Sequence, residues 1–126
     1  MNRHAIAAFA ALLLCVAGGP GPAAQAGDPY TVDANWARLP PGMTWNGNTS
    51  WIAADRKGQV VVLVRTAPYF RVFTRDGAFV KAFGEDGLFQ SAHSVTIDAE
   101  GNLWVTDSAA HVGHKFGADG RVQMTL

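Results

Sequence analysis

The chain has 126 residues, with ten basic and ten acidic side chains, 48% hydrophobic residues and one cysteine. Balanced charge without a basic stripe excludes a surface built to follow phosphates, so nucleic acid is not an expected partner. A lone cysteine excludes an internal disulfide framework.

Residues 1–26 read as an export signal. Arg3 and His4 give a short basic start, and the apolar run at 5–17 is too short for an ordinary transmembrane helix. Ala24-Gln25-Ala26 supplies an A-x-A cleavage pattern. Cys15 invites a lipoprotein reading, but Leu14 stands where a lipobox needs a small residue. Cleavage removes Arg3 and Cys15, which leaves a net charge of about −1 and a secreted or periplasmic chain without a membrane contact.

Residues 27–48 form an extended lead-in. Pro29, Pro40, Pro41, Gly42 and Gly47 break regular structure, while Trp36 and Trp45 are placed to pack on whatever follows.

From residue 49 the sequence repeats itself. Asp55-Arg56-Lys57-Gly58-Gln59-Val60-Val61-Val62 returns as Asp98-Ala99-Glu100-Gly101-Asn102-Leu103-Trp104-Val105, and Phe73-Thr74-Arg75-Asp76-Gly77 returns as Phe116-Gly117-Ala118-Asp119-Gly120. Both pairs keep one offset of 43 residues. D-x-x-G and D-G between apolar runs are tight-turn chemistry: Asp caps the turn and Gly takes a positive φ. Alternation on either side predicts strands at 50–54, 59–65, 70–74 and 78–83, then at 93–97, 102–106, 112–116 and 121–125. The mature chain is therefore all-β.

Four antiparallel strands per unit of this length are the signature of a β-propeller blade. Two hairpin pairs in a sandwich or small barrel are the plainer alternative, but a sandwich does not require a fixed spacing. Two blades are expected, at about 49–90 and 91–126. The sequence stops in or just after a strand, and two blades cannot close a ring. Apolar blade faces are expected to be left open. The remaining blades then lie in cis in a longer protein, or copies self-associate, three two-blade chains making six blades.

The second unit carries a family resemblance. His93-Ser94-Val95-Thr96-Ile97-Asp98-Ala99-Glu100-Gly101-Asn102-Leu103-Trp104-Val105-Thr106-Asp107, followed by His111 and Lys115-Phe116, resembles an NHL repeat. Within that group it is most similar to the peptidyl-α-hydroxyglycine α-amidating lyases. The similarity covers about 30 residues well and the preceding unit loosely. D-x-x-G-N alone indicates an NHL propeller; the upstream His and the W-V-T-D form sharpen it toward the lyases. That resemblance implies a six-bladed propeller that splits a C-terminal α-hydroxyglycine into a peptide amide and glyoxylate.

Site residues follow from the same resemblance. His93 falls at a zinc ligand near the propeller axis. Val95, and Ile52 in the preceding unit, fall where backbone carbonyls meet a structural calcium. Arg65 falls at an active-site arginine, and a guanidinium is a fixed-charge donor suited to a carboxylate. From the residues alone, a strand-start role for His93 outweighs a metal-ligand role, and for Arg65 an exposed strand end and an active-site role stand even. His111 is expected to pack or hydrogen-bond within its blade, a local zinc site with His114 is weakly supported, and Asp107 is expected to bond backbone amides after its strand.

The departures matter. The usual Pro-His-Gly is Ala92-His93-Ser94 here. The other zinc histidines and the catalytic tyrosine of the pattern fall beyond Leu126, and one histidine cannot hold a catalytic zinc tightly. These 126 residues alone are expected to be inactive. Three functions stand open: the N-terminal part of a secreted propeller lyase acting on a small peptide substrate, a non-catalytic propeller that binds peptide, glycan or protein, and a small secreted oligomer.

Overall fold

The computed structural model describes residues 30–45 and 48–126. The expected signal peptide at 1–26, with Cys15, lies outside the described residues, as do the first residues of the lead-in and Asn46 and Gly47.

Eight strands follow one another in chain order, with no helix among the described residues. They are β1 Thr49–Ala54, β2 Val60–Val64, β3 Phe70–Phe73, β4 Phe79–Phe83, β5 Ala92–Ile97, β6 Leu103–Asp107, β7 Val112–Phe116 and β8 Val122–Thr125. Each differs from its predicted span by one residue or less at either end. β1 to β4 form one antiparallel sheet in sequential order, and β5 to β8 form a second.

The repeated turns are equivalent in detail. The Asp55 carboxylate accepts the backbone N–H groups of Lys57 and Gln59, both at 2.8 Å, and the Asp98 carboxylate accepts those of Glu100 at 3.1 Å and Asn102 at 2.8 Å. Gly58 and Gly101 share a φ of 86°, a left-handed value that costs glycine little. Asp98 does more than its counterpart. It also accepts Asn102 Nδ2 and Trp104 Nε1, at 2.9 and 3.0 Å, and sits 4.0 Å from Lys115 Nζ.

The sheets stack face to face, and unlike faces meet. Val61, Leu63, Phe70 and Val72 of the first sheet pack on Val95, Leu103, Val105 and Phe116 of the second. The residues equivalent to that second set are Ile52, Val60, Val62 and Phe73, which belong to the opposite face of the first sheet. A closed two-layer sandwich buries one inner face of each sheet against its like. Joining a front to a back instead leaves a front and a back still open, the stacking of propeller blades. Phe70 is the centre of the contact: it is fully buried, stacks on Phe83 at 4.6 Å and meets Phe116 and Phe89 edge-on at 5.2 and 5.9 Å.

The back of the first sheet is covered by the lead-in, as its aromatics predict. Trp36 and Trp45 pack on Phe73, with ring centroids 5.6 and 5.9 Å away, and Trp36 Nε1 donates to the Arg75 carbonyl at 2.9 Å. A parallel bridge between Arg38 and Ala78 fixes the segment at the Gly77 turn. That turn needs glycine twice over: its φ is 83°, and a Cβ there falls on the Trp36 carbonyl oxygen. From Val32 onward the lead-in belongs with the sheets to one compact unit, Val32–Leu126.

The front of the second sheet departs from the expected apolar surface. It carries Ser94, Thr96, Trp104, Thr106 and Lys115 where the first sheet has mainly apolar groups at the equivalent places. The Ser94 and Thr106 hydroxyls hydrogen-bond at 2.7 Å, and the Lys115 ammonium lies 5.3 Å from the Trp104 ring centre. Trp51, Ile52, Val122 and Met124 remain well exposed along the edge strands β1 and β8.

Two outcomes test this account. Phe70→Ala is expected to destabilise the fold by about 4 kcal/mol in a denaturant titration, the range for emptying an aromatic core site. Burial opposes ionisation of Asp98, but the Asn102 and Trp104 hydrogen bonds and Lys115 outweigh it and hold its pKa down at about 2. A depressed carboxylate contributes stability above its unfolded pKa of about 3.9, and that contribution is lost as pH falls toward 2. Thermal melts across that interval are expected to show a shallower loss in Asp98→Asn than in the wild type.

Candidate functional site

At one end of both sheets the edge strands β1 and β5 lie side by side, and β2 and β6 terminate beside them. Each edge strand carries a bulge here. The register slips between Thr49 and Trp51 in β1 and between Ala92 and Ser94 in β5, so Ser50 and His93 are the extra residues. A bulge re-aims the side chain of its unpaired residue. Ser50 and His93 are thus the same structural position in the two sheets.

Backbone bonds repeat at the strand ends. Arg65 N–H donates to the Asn48 carbonyl at 3.1 Å, and Ser108 N–H donates to the Ser91 carbonyl at 3.0 Å. Arg65 and Ser108 are therefore equivalent, as are Asn48 and Ser91. Side chains then link the sheets. Arg65 donates through Nε to Ser50 Oγ at 3.2 Å and through Nη1 to Ser91 Oγ at 3.3 Å. Ser50 Oγ donates to the Ala92 carbonyl at 2.9 Å, directly before His93. Ser108 Oγ lies 3.2 Å from Ser91 Oγ.

Asp107 holds this rim from below. Its buried carboxylate accepts four backbone N–H groups: Gln90 at 2.6 Å, Ser91 at 2.9 Å, Ala110 at 3.0 Å and Ala109 at 3.1 Å. Burial alone raises its pKa, but the four amides outweigh it and keep the group below the usual carboxylate range. One charge thereby fixes the loop before β5 and the turn after β6, and with them Ser91 and Ser108. The expectation that Asp107 bonds amides after its strand holds, and the reach back to Gln90 and Ser91 extends it.

The predicted residues fall as follows. Arg65 is exposed at the rim, oriented by hydroxyls from both sheets, and makes no ion pair with a carboxylate among the described residues. His93 is exposed on the neighbouring bulge, and its imidazole makes no hydrogen bond to the described residues. Ile52 and Val95 occupy equivalent register positions, opposite Val62 and Val105, although Ile52 is 57% exposed and Val95 buried at 1%. Ser50, Ser91 and Ser108 carried no signal in the sequence, because their roles depend on how one sheet meets the next.

The two remaining histidines separate. His111 is exposed in the turn between β6 and β7 with a φ of 57°, and is not packed within its blade. His114 packs against Phe89 and Phe116, and its Nδ1 lies 2.9 Å from Thr125 Oγ1. A local His111–His114 metal site is not formed: no group of three or more His, Cys, Asp or Glu capable of holding a metal occurs among the described residues.

Zinc and calcium meet the same test. A catalytic zinc takes three protein donors, and the rim offers one imidazole. Calcium takes six to eight oxygens, and Ile52 and Val95 offer two carbonyls. These residues by themselves fit neither ion. What the rim does offer is a guanidinium oriented by Ser50 and Ser91, whose remaining N–H groups are donors suited to a carboxylate.

No protein-family model matches the chain. In sequence it is 30% identical over 122 residues to peptidyl-alpha-hydroxyglycine alpha-amidating lyase 2 of Drosophila melanogaster, an alignment covering 77% of this chain and 29% of that protein. The chain thus spans under a third of the relative's length. Among solved structures it is similar to virginiamycin B lyase from Staphylococcus aureus, with a TM-score of 0.49 and 20% identity over 60% of this chain and 25% of that one. A protein of unknown function from Bacteroides caccae gives a TM-score of 0.48 and 17% identity, over 60% of this chain and 27% of its own. The chain is an all-β protein of two blade-like sheets with distant sequence similarity to an amidating lyase.

Proposed function

We propose that this chain forms the first two blades of a secreted or periplasmic propeller lyase that cleaves peptidyl-α-hydroxyglycine to a peptide amide and glyoxylate. The observation that carries the reading is the Arg65 guanidinium, tied to Ser50 of β1 and to Ser91 just before β5, with no carboxylate partner among the described residues. Similarity to an amidating lyase over 77% of the chain supports it from a separate direction.

The substrate class has an ionised carboxylate on the carbon that bears the hydroxyl. In the reaction the bond from that carbon to the amide nitrogen breaks. The hydroxyl proton leaves oxygen, and the nitrogen gains a proton as the carbonyl of glyoxylate forms. In this proposal Arg65 holds the carboxylate throughout. Two of its nitrogens are engaged by serines, so its plane is set before substrate arrives and little side-chain entropy is lost on binding. Ser108, joined to Ser91, offers a further hydroxyl at the same rim. Proton transfer is assigned to groups outside these two blades, so the two blades alone bind but do not turn over substrate. Zinc at His93 and calcium at the Ile52 and Val95 carbonyls belong to the same proposal, with the missing donors supplied by the rest of a six-bladed ring.

Arg65→Met in the full-length protein is expected to weaken binding of an N-acyl-α-hydroxyglycine by about tenfold or more, and to leave unchanged an analogue lacking the carboxylate. Equal losses for both ligands overturn the carboxylate role. Zinc affinity of the same protein is expected to fall by at least about tenfold in His93→Ala, as for a lost metal contact, and to stay constant in His111→Ala. A complete ring that binds acyl-glycine carboxylates but releases no glyoxylate from the hydroxylated substrate decides for a binding module instead.

A further inference from the structure

The direction of each hydroxyl proton at the Arg65 rim follows from its partners, because a guanidinium only donates and a carbonyl only accepts. Ser50 Oγ accepts from Arg65 Nε at 3.2 Å and sends its own proton to the Ala92 carbonyl at 2.9 Å. Ser91 Oγ accepts from Arg65 Nη1 at 3.3 Å. Ser108 is the hydroxyl of this row farthest from Arg65, and it faces the opposite way in hydrogen-bond terms.

Ser108 Oγ lies 3.3 Å from the Ser91 carbonyl and 3.2 Å from Ser91 Oγ. That carbonyl already takes the Ser108 backbone N–H at 3.0 Å and has a second lone pair for the hydroxyl. Whichever Ser91 oxygen takes the proton, it points at residue 91, and the exposed Ser108 presents a lone pair to its surroundings. The turn that carries this hydroxyl is held in place, since Asp107 accepts the N–H groups of Ala109 and Ala110 at 3.1 and 3.0 Å.

The repeat sharpens the contrast. Ser108 is the structural counterpart of Arg65: Arg65 N–H donates to the Asn48 carbonyl, and Ser108 N–H to that of Ser91. One position thus carries a side chain that can only donate in the first sheet and one that offers an acceptor in the second. Ser91 Oγ touches both, so the two groups are separated by no more than two hydrogen-bond lengths. A ligand that suits both has an ionised acceptor and a hydrogen-bond donor on neighbouring carbons. A 2-hydroxy acid has them, and a plain carboxylate lacks the donor.

We propose that Ser108 is a specificity-determining residue of the Arg65 site, accepting a hydrogen bond from the α-hydroxyl of the ligand whose carboxylate Arg65 holds. This role rests on the lyase reading and deepens it: Ser108 is the group that separates hydroxylated acyl-glycines from acyl-glycines without the hydroxyl. The α-hydroxyl suits the lone pair better than the amide N–H does, because it rotates about its C–O bond while the N–H is fixed in the peptide plane. Water reaches the exposed Ser108, so the discrimination is that of one neutral hydrogen bond.

Three carboxylates that the reaction cannot cleave are the probes for the full-length protein: 2-hydroxyhexanoate carries the hydroxyl, N-acetylglycine the amide N–H, and hexanoate neither. The wild type is expected to bind 2-hydroxyhexanoate at least about fivefold more tightly than hexanoate. In Ser108→Ala that preference is expected to fall about fivefold, with hexanoate affinity and the Tm unchanged. A preference that survives in Ser108→Ala, or is absent from the wild type, overturns the proposal. So does a Ser108→Ala loss confined to N-acetylglycine, which assigns the residue to the amide N–H instead. Arg65→Met tests the underlying reading separately and is expected to weaken all three ligands. Unchanged affinities in Arg65→Met overturn the carboxylate role and the Ser108 role with it, whereas an unaltered preference in Ser108→Ala beside a loss in Arg65→Met overturns the Ser108 role alone. Should Ser108→Ala fail to fold, Ser108→Cys, close in size and a weak acceptor, is measured in its place against the same outcomes.

Discussion

The contact between the front of one sheet and the back of the next is the constraint on which the other features rest. Phe70 and Val72 meet Phe116 and Leu103 because each four-stranded sheet presents unlike faces, and the repeat sets those faces in the same order twice. Aromatic rings supply most of the depth. Phe70, Phe83, Phe89 and Phe116 fill the gap with stacked and edge-on contacts, which add to the stabilisation from apolar burial alone. The arrangement fixes where β5 lies relative to β1, and so determines which side chains share the rim.

That rim shows how two local devices combine. Bulges in β1 and β5 turn out one residue each, and the repeat fills the same place with serine in one sheet and histidine in the other. Serine spans the gap, accepting from Arg65 and donating to the backbone next to His93. Asp107 supplies the rigidity with a buried carboxylate that four backbone amides satisfy, so the loops bearing Ser91 and Ser108 are pinned to one fixed side chain. A guanidinium set on so fixed a base is pre-organised for a planar anion.

The two ends of the stack are finished differently. The back of the first sheet is closed by Trp36 and Trp45, which reach Phe73 from a segment with little hydrogen bonding of its own. The front of the second sheet meets its surroundings with hydroxyls, Lys115 and an indole whose N–H is already taken by Asp98. Equivalent positions thus serve opposite ends of the repeat, apolar where a sheet is packed and polar where none of the described residues covers it. Arg71 and His114 are a further case, in which one position holds an imidazole bonded to Thr125 in one sheet and, in the other, a guanidinium with no acceptor among the described residues.

The sequence by itself determined the strands, their order and the turns between them. Those depend on short-range chemistry: an Asp that caps amides two and four residues ahead, a Gly that takes a left-handed φ, and alternation that marks a half-buried strand. A repeat of 43 residues then made the equivalence of the two sheets readable, along with Arg65 and His93 at strand ends and Trp36 and Trp45 as packing groups. The tertiary structure alone decided which hydroxyls surround Arg65, that Asp107 reaches back to Gln90, that His114 lies among aromatic rings, that His111 is left at the surface and that Arg71 is buried against Trp45. Each of these depends on a neighbour at least eleven residues away or on another sheet, and no local pattern records how two sheets are set against each other.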